Sequence, residues 1–477
     1  YGAVAVPILH EFKPDIVHNI VNHSDAKFLF TDKHIWEHLN LDEMPAIAGA
    51  MEITDFSLLG CRNAELEHSR NIINELFGQK YPEKFTHEDL HYFAAKPDDL
   101  AVINYTSGST GFSKGVMLPY RSLYSNLKFA IDTLNIWKSG DSSLCMLPLA
   151  HMYGLMIELI FPFVMGCHIH FLTKVPSPKI LLGAFAEVRP RVVITVPLVI
   201  EKIIKSKVFP VIKKPHMKVL LALPGIKNII LKKIKAQLNA AFGGQLEELI
   251  IGGSAINKDV EQFLHKIQFP YTVGYGMTEC GPLIAYEHWD KTKMHACGRC
   301  VDRMQIRVES PDPEHIAGEL WVKGDNVMLG YYKNPEITAQ SMRDGWFNTG
   351  DLCTIDSSGL VFIHGRSKNM ILGPSGQNIY PEEIEHKINN MPYVNESIVI
   401  DDNGKIVALV HPDMDLAKKE KLSTDQLAKI MDENIAAVNK ELPAYSRVAS
   451  VKIYEEEFEK TPKRSIKRYL YMPQQQK

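Results

Sequence analysis

The feature that most limits the folds open to this chain is a polar, glycine-containing run at residues 104–116, NYTSGSTGFSKGV. It follows an apolar run at residues 100–103, which predicts a buried strand. Glycines let the backbone approach a ligand closely, and clustered amide and hydroxyl groups form a concave site for an anion. Because Lys114 adds a full positive charge, the run predicts a phosphate-binding loop that follows a strand.

This run differs from two well-known functional loops. A Walker loop ends in Gly-Lys-Ser/Thr, whereas Lys114 is followed by Gly115. A GxSxG nucleophile elbow would need glycine where Ser107 stands. A plain polar surface loop is the other alternative, and it is disfavoured because linkers rarely place a single lysine after such a run.

The run does resemble the signature loop of the adenylate-forming superfamily, which comprises acyl-CoA synthetases, peptide-synthetase adenylation domains and luciferases. That pattern is Tyr-Thr-Ser-Gly-Ser/Thr-Thr-Gly-x-x-Lys-Gly, and this chain matches it at every fixed position. The resemblance implies that the loop binds the phosphates of ATP. The residues expected to do so are Thr106, Ser107, Gly108, Ser109, Thr110, Gly111 and Lys114.

A second motif follows a predicted strand at residues 271–273. It is not a dinucleotide fingerprint, which would need glycine at position 279. It resembles the superfamily motif Tyr-Gly-x-Thr-Glu, which implies that Tyr275 packs on adenine, Thr278 reaches the α-phosphate, and Glu279 holds magnesium with Thr106. Carboxylate and hydroxyl oxygens suit such a hard cation. The nucleotide contacts expected here are Gly274, Tyr275, Gly276, Met277, Thr278 and Glu279.

Three further residues assigned to the ATP site lie towards the C-terminus. Asp351 resembles the family residue that accepts both ribose hydroxyls, a task that suits a carboxylate because it accepts without donating. Arg366 matches the arginine that contacts ribose and phosphate, and Ile363 is assigned to the same ATP site. Lys368 falls at the family's hinge position.

Two segments are expected to border the acyl substrate. Residues 148–154 resemble the Pro-Leu-x-His-x-x-Gly segment of acyl-CoA synthetases, which assigns His151 to the acyl site, although a single histidine beside an apolar run is more often structural. Amino-acid-activating relatives carry an acidic residue in this motif, and its absence argues against an amino acid substrate. The second segment follows a strand and comprises Gly252, Gly253, Ser254 and Ala255.

The C-terminal segment departs from the family. Long-chain synthetases place the lysine needed for adenylation in a setting similar to Thr-Pro-Thr-x-Lys-x-Lys-Arg, and the aligned position here is Ser465. Losing one preorganised cationic donor typically costs about 3–4 kcal/mol. Alternate residues of an extended segment share one face, so Lys463 and Lys467 are the candidate catalytic replacements. Lys463 is favoured because it stands where the family has threonine.

Composition sets broader limits. The chain has 477 residues, 45% hydrophobic and 23% charged, as expected of a soluble protein of several domains. A net charge of −3 gives no reason to expect a nucleic-acid partner, and seven cysteines favour a reducing, cytoplasmic location over a disulfide scaffold. Because the chain begins without methionine, we expect it to be a fragment of a longer protein.

Three other features are assigned no functional role. The Cys-His-Ile-His run at 167–170 and the Cys-Gly-Arg-Cys run at 297–300 each lack a second ligand pair, so metal or redox roles are disfavoured. The apolar stretch 152–172 is interrupted by Glu158 and Pro162 and is read as core.

A lysine-rich segment has two interpretations. Residues 202–246 contain ten lysines and no acidic residue, with apolar residues between them. Such a basic amphipathic segment suits peripheral contact with an anionic membrane, here through residues 202–236, or it is a solvated face over a packed one. Coenzyme A phosphates are another candidate anion.

The predicted fold is α/β: a large domain of α/β layers with a β-rich subdomain at residues 1–366, a hinge at 367–368, and a small mobile α+β domain at 369–477. Local patterns predict strands at 3–7, 27–31, 191–197, 395–400 and 406–410, and helices at 15–23 and 120–134. The small domain is predicted to run β-α-β-β-α-β.

The resemblance implies ATP-dependent activation of a medium- to long-chain fatty acid to acyl-AMP, with Mg²⁺. Transfer to coenzyme A then releases AMP. Two alternatives stay open: an acyl-AMP ligase that loads a carrier protein, and a nucleotide- or acyl-binding protein impaired at Ser465. The sequence does not indicate an oligomeric state.

Overall fold

A computed structural model describes residues 2–106, 114–134, 136–174, 176–373, 377–460 and 466–472. The α-helices are, in chain order, α1 (Pro14–His23), α2 (Lys33–Trp36), α3 (Ala64–Asn71), α4 (Ile73–Lys80), α5 (Tyr120–Phe129), α6 (Phe161–Val164), α7 (Pro178–Val188), α8 (Pro197–Ile203), α9 (Phe209–Ile212), α10 (Pro215–Ala222), α11 (Pro224–Ala241), α12 (Lys258–Lys266), α13 (Pro335–Ser341), α14 (Pro381–Ile388), α15 (Met414–Lys419) and α16 (Thr424–Glu441). Wider π-helical turns occur at Ala130–Leu134, Gly154–Ile160 and Ile204–Val208.

The strands are, in chain order, β1 (Phe28–Thr31), β2 (Gly49–Glu52), β3 (Leu58–Cys61), β4 (Leu100–Thr106), β5 (Lys114–Pro119), β6 (Ser142–Cys145), β7 (His168–Phe171), β8 (Val192–Thr195), β9 (Glu248–Ile251), β10 (Tyr271–Val273), β11 (Tyr275–Gly276), β12 (Leu283–Tyr286), β13 (Arg299–Cys300), β14 (Met304–Glu309), β15 (Gly318–Gly324), β16 (Gly330–Tyr331), β17 (Met342–Arg343), β18 (Trp346–Ile355), β19 (Val361–Arg366), β20 (Ile371–Leu372), β21 (Asn378–Ile379), β22 (Val394–Asp402), β23 (Lys405–Pro412) and β24 (Ser450–Ile453).

The N-terminal region confirms the predicted helix and the parallel pairing, but not its first strand. Helix α1 begins at Pro14, and β1 pairs with β2 in parallel. Residues 3–7 form only a single parallel bridge between Ala5 and Val102. A longer pairing would need a donor at Pro7, which has no N–H group.

A parallel sheet in the order β10-β9-β8 positions much of the site. The strands are apolar and buried, as expected of parallel strands covered on both faces. Buried side chains of α7, α11 and α12, such as Phe185, Leu238 and Leu264, belong to the same core. The strand predicted at 191–197 ends at Thr195, because Pro197 begins α8 and suits the first turn of a helix.

Antiparallel strands form the second part of the large domain. One sheet has the order β16-β5-β4, and a larger one has the order β14-β15-β18-β17, with β19 paired to β18. These sheets share one core, which includes Val116, Leu320 and Phe347. The helix predicted at 120–134 is α-helical only to Phe129 and continues as a π-helical turn.

The small domain has a separate core around Ile388, Val410 and Met431. Its central hairpin joins β22 to β23 through Asn403 and Gly404, whose φ angles of 55° and 79° suit the predicted tight turn. The strands predicted at 395–400 and 406–410 are confirmed and slightly longer. The predicted element order omits α15 and has one strand before α14, where the structure has the short strands β20 and β21.

Across the part of the chain that the structure describes, every helix is too short or too polar to span a bilayer.

Candidate active site

Strands β4 and β5 hold the two ends of the predicted phosphate loop. Thr106 ends β4 and pairs directly with Lys114, which begins β5. The connecting residues lie outside the described part of the chain, so the assignments of Ser107, Gly108, Ser109, Thr110 and Gly111 stay predictions. The antiparallel register nevertheless places the hydroxyl residue and the lysine opposite each other at the base of the loop.

The side chain of Tyr331 contacts both Lys114 and Glu279, the predicted magnesium ligand. Glu279 lies in a buried turn, Thr278–Cys280, and its Oε1 accepts a hydrogen bond from the Tyr331 hydroxyl at 3.0 Å. Lys114 Nζ lies 5.0 Å from the centre of the Tyr331 ring. Tyr331 therefore lies between the lysine of the phosphate loop and the carboxylate, and it fixes one carboxylate oxygen.

Asp351, Arg366 and Tyr275 form a second cluster. Asp351 and Arg366 are cross-strand partners on β18 and β19, with 2.9 Å between Arg366 Nε and Asp351 Oδ1. The Tyr275 hydroxyl donates to Asp351 Oδ2 at 2.5 Å. Burial raises the pKa of Asp351, and the nearby Arg366 cation opposes that shift. The structure thus brings together three residues that the sequence assigned to the nucleotide.

The other residues predicted to bind the nucleotide lie on β19 or on and beside β11. Ile363 is on β19, opposite Cys353 of β18. Gly274 N donates to Ile251 O, Gly276 pairs with Leu283, and Met277 N donates to Pro282 O. Thr278 shares the short turn with Glu279.

The two segments assigned to the acyl substrate meet at the carboxyl edge of the parallel sheet. Residues Gly252 to Ala255 follow β9 directly, and Gly252 N donates to Thr195 O of β8. The Tyr153 ring packs against Gly252, where an added Cβ would lie only 2.9 Å from the ring. Ligands of open α/β sheets bind at this edge, so the placement of both segments suits a substrate site.

Asn104 and Glu158 hold the His151 segment in place. Asn104, buried on β4, donates to Ala150 O at 2.8 Å. This hydrogen bond links β4, the strand before the predicted phosphate loop, to the His151 segment. Glu158 Oε2 accepts from the backbone N–H groups of Met146 and Leu147 at 2.9 and 2.7 Å. His151 directly follows Ala150, the residue that Asn104 holds. Its own backbone N–H donates to Pro148 O.

Lys368, the predicted hinge residue, lies in the turn Ser367–Asn369 directly after Arg366. Burial and the neighbouring charges of Arg366, Lys114 and Arg468 lower its pKa.

The small domain also contacts the start of α12. Lys258 N donates to His386 Nε2 at 2.6 Å, and the Asn257 side chain donates to Asn390 Oδ1. Burial is the main cause that lowers the pKa of His386 to about 4, so the ring is neutral and accepts the hydrogen bond. These contacts fix the orientation of the small domain in this structure.

Lys463 and Lys467 are the candidate replacements for the lysine that is absent at Ser465. Lys467 Nζ forms an ion pair with Glu459 Oε2 at 3.1 Å within the small domain. Lys463 lies outside the described residues. Both catalytic assignments stay predictions.

We expect Lys463→Ala to lower the rate of acyl-adenylate formation at least about tenfold. The reason is that Lys463 is the favoured replacement for the lysine that is absent at Ser465. Lys467→Ala, which frees Glu459, is the matched comparison and should have the smaller effect. Single-turnover formation of acyl-AMP measures both. Unchanged rates in both variants would exclude these lysines as replacements.

Sequence reasoning missed three residues of this site. Tyr331 and Asn104 act through contacts with residues 52 and 46 positions away, which no local pattern encodes. Glu158 did carry a signal, because it is the one acidic residue in the apolar stretch 152–172. A buried acid in such a stretch needs donors, and here it has two.

Comparison with known proteins agrees with this architecture and places the chain in a family. Residues 1–332 match the model of the AMP-binding enzyme family, and residues 368–475 match the AMP-binding enzyme C-terminal domain. The chain belongs to the AMP-binding enzyme family.

Relatives include long-chain acyl-CoA ligases. Long chain acyl-CoA synthetase 6, peroxisomal, of Arabidopsis thaliana is 30% identical over 88% of this chain and 62% of its own length. Long-chain-fatty-acid--CoA ligase 1 of Saccharomyces cerevisiae is 31% identical over 71% of this chain, which spans only 52% of that relative. 4-Coumarate--CoA ligase 1 of Solanum tuberosum is 29% identical over 64% of this chain and 53% of its own length.

Solved structures show the same fold. An ATP-bound RpMatB-BxBclM chimera has a TM-score of 0.73 at 24% identity and covers 98% of this chain and 83% of its own. The anthranilate CoA ligase AuaEII in complex with anthranoyl-AMP has a TM-score of 0.75 at 18% identity, covering 98% and 82%. These likenesses confirm the predicted fold class, a large N-terminal domain followed by a small C-terminal one.

Proposed function

We propose that this chain catalyses ATP-dependent activation of a fatty acid of medium to long chain to acyl-AMP, followed by transfer to coenzyme A with release of AMP. The observation that carries the proposal is the contact between Glu279, Tyr331 and Lys114 beside the base of the phosphate loop. The long-chain ligases among the relatives support the fatty acid over other acids.

The first step requires charge neutralisation rather than a general base. A carboxylic acid is already ionised at neutral pH, so an anion must attack the α-phosphorus of an anionic nucleotide. Lys114 and the amides of the loop would stabilise the charge that develops there. The bond from the α-phosphorus to the bridging oxygen breaks, and pyrophosphate leaves with the electron pair.

The donor set at Glu279 fits a magnesium ion. The Glu279 carboxylate and the Thr106 hydroxyl supply the hard oxygen ligands that such an ion prefers. When bound, the ion would neutralise phosphate charge. Tyr331 orients the carboxylate by holding Oε1, so that the other oxygen can face the nucleotide.

The second step requires a different arrangement of the two domains. The hinge assignment of Lys368 and the division at residues 367–368 are part of this proposal. Turning about the hinge would break the contacts of His386 and Asn390 with the start of α12. The coenzyme A thiol would then attack the acyl carbonyl, and AMP would leave.

We expect radioactive pyrophosphate to exchange into ATP only when a carboxylate is present, and to do so best with fatty acids of medium to long chain. Exchange reports the reversible first step without coenzyme A. A panel of acids of increasing length measures the preference, with an amino acid as the control. No exchange with any acid would contradict the proposal.

Pyrophosphate exchange also distinguishes the proposed activity from the two alternatives, a ligase that loads a carrier protein and an impaired binding protein. A carrier-loading ligase would catalyse exchange but would not release AMP in response to free coenzyme A. A binding protein impaired at Ser465 would bind ATP without exchange. A cytoplasmic location is proposed on the low cysteine content, since reducing compartments favour free thiols.

A further inference from the structure

The lysine-rich segment folds as helices α10 and α11, joined by a bend at Leu223. Side chains on the inner side of α11, including Leu231 and Leu238, are buried in the core of the parallel sheet. Ile226, Ile229 and Lys233 follow at intervals of three and four residues and so share the opposite face of the helix. All three are exposed. The helix therefore has one face in the core and another in solvent.

The solvent face is unusually apolar. Val219 is 65% exposed, Ile229 is 68% exposed, and Leu223 and Ile226 are 46% and 39% exposed. These four residues fall within eleven positions of the chain, on both sides of the bend. Single exposed aliphatic residues are common on proteins, but a cluster of this kind indicates a contact surface.

Exposed lysines lie on or directly beside the same two helices. Lys214, Lys218, Lys232 and Lys233 are exposed. Among the described residues, no ion pair within 4 Å involves any of the ten lysines of the segment. We call the four aliphatic residues and these four lysines the basic helical patch.

We propose that the basic helical patch docks the protein on an anionic lipid surface. Aliphatic side chains that enter the acyl boundary, flanked by lysines that reach the headgroups, are the composition of a helix lying in a membrane interface. A second copy of this chain fits poorly, because it would bring two uncompensated positive surfaces together. A membrane is also where a long-chain fatty acid concentrates, although the docking does not depend on the proposed activity.

Co-sedimentation with vesicles tests the docking. The intact chain should bind vesicles in which one third of the lipid is phosphatidylglycerol, bind phosphatidylcholine vesicles at least tenfold more weakly, and lose binding at high salt. One variant carries Lys214→Gln, Lys218→Gln, Lys232→Gln and Lys233→Gln. Another carries Val219→Ser, Leu223→Ser, Ile226→Ser and Ile229→Ser. Each should lower the partition coefficient for anionic vesicles at least about tenfold.

A matched control replaces four exposed lysines elsewhere, Lys405, Lys418, Lys419 and Lys429, by glutamine. It changes the net charge equally and should keep binding within about twofold. Equal loss in the control, equal binding to neutral vesicles, or no binding at all would overturn the proposal. So would dimerisation in sedimentation velocity that the serine variant abolishes while vesicle binding is absent. Circular dichroism checks the fold of each variant, and pyrophosphate exchange with a short, water-soluble acid reports the activity separately.

Discussion

Replacing Glu279 by glutamine should lower the rate of acyl-adenylate formation about 10²–10³-fold, the usual cost of removing one preorganised electrostatic group from a transition state. Glutamine keeps an oxygen that accepts the 3.0 Å hydrogen bond from Tyr331, and its volume is almost the same. It removes the negative charge that would hold magnesium. Pyrophosphate exchange at several magnesium concentrations measures the effect, which more magnesium should only partly restore.

Tyr331→Phe is the matched comparison for this variant. It removes the hydroxyl that orients Glu279 but keeps the ring that lies 5.0 Å from Lys114 Nζ. A single hydrogen bond is worth about 1 kcal/mol, so the rate should fall roughly fivefold or less. If Glu279→Gln were no slower than Tyr331→Phe, the carboxylate would not be the metal ligand.

The second large effect concerns stability and Glu158. Its side chain is fully buried, and burial raises its pKa to about 8, against the two backbone hydrogen bonds that favour the anion. Between pH 4.5 and 8 the native state therefore binds more protons than the unfolded state. Stability contributed by this group falls as pH rises through that window, by up to about 1.4 kcal/mol per pH unit.

Glu158→Gln should remove that dependence, because an amide does not titrate but still accepts from Met146 and Leu147. Relative to the unchanged protein, the variant should gain stability with each unit of pH between 5 and 8. Urea unfolding at several pH values, followed by tryptophan fluorescence, gives the difference. Glu158→Ala should instead lose roughly 2–4 kcal/mol near pH 5, since it leaves a cavity and two unpaired donors, and this loss should become smaller as pH rises towards 8.

An exposed acid provides the control for this comparison. Glu187 is exposed on α7, so Glu187→Gln makes the same chemical change at a site that is not buried. If stability changed with pH in the same way in the Glu158→Gln and Glu187→Gln variants, burial would not raise the pKa of Glu158.

Many of the residues predicted for the candidate site lie on strands or at their ends. Asp351 and Arg366 are far apart in the family pattern, yet the register of β18 and β19 makes them neighbours. Lys114 and Thr106 were predicted to act together, and their pairing across β4 and β5 agrees with that. In each case a strand precedes or carries the residue, and strands are what hydrophobic periodicity detects.

Other features depend on tertiary contacts that local patterns do not contain. The Tyr331 hydroxyl reaches Glu279 only because β16 pairs with β5. Residues 3–7 have the composition of a strand, but a proline limits their pairing to the bridge at Ala5. The π-helical turn after Phe129 and the short helix α15 also follow no periodic signal that distinguishes them from ordinary helix or loop.

The contacts between the small domain and the start of α12 affect any attempt to change the substrate. Asn257, which holds Asn390, lies only two residues after Ala255, the last of the residues assigned to the acyl group. Successive Cα atoms are fixed at 3.8 Å, so Ala255 and Asn257 can lie no more than about 7 Å apart and a displacement of one readily reaches the other. A redesign of Gly252 to Ala255 for a different acid would therefore also shift the surface on which the small domain rests. Specificity and domain closure would have to be engineered together.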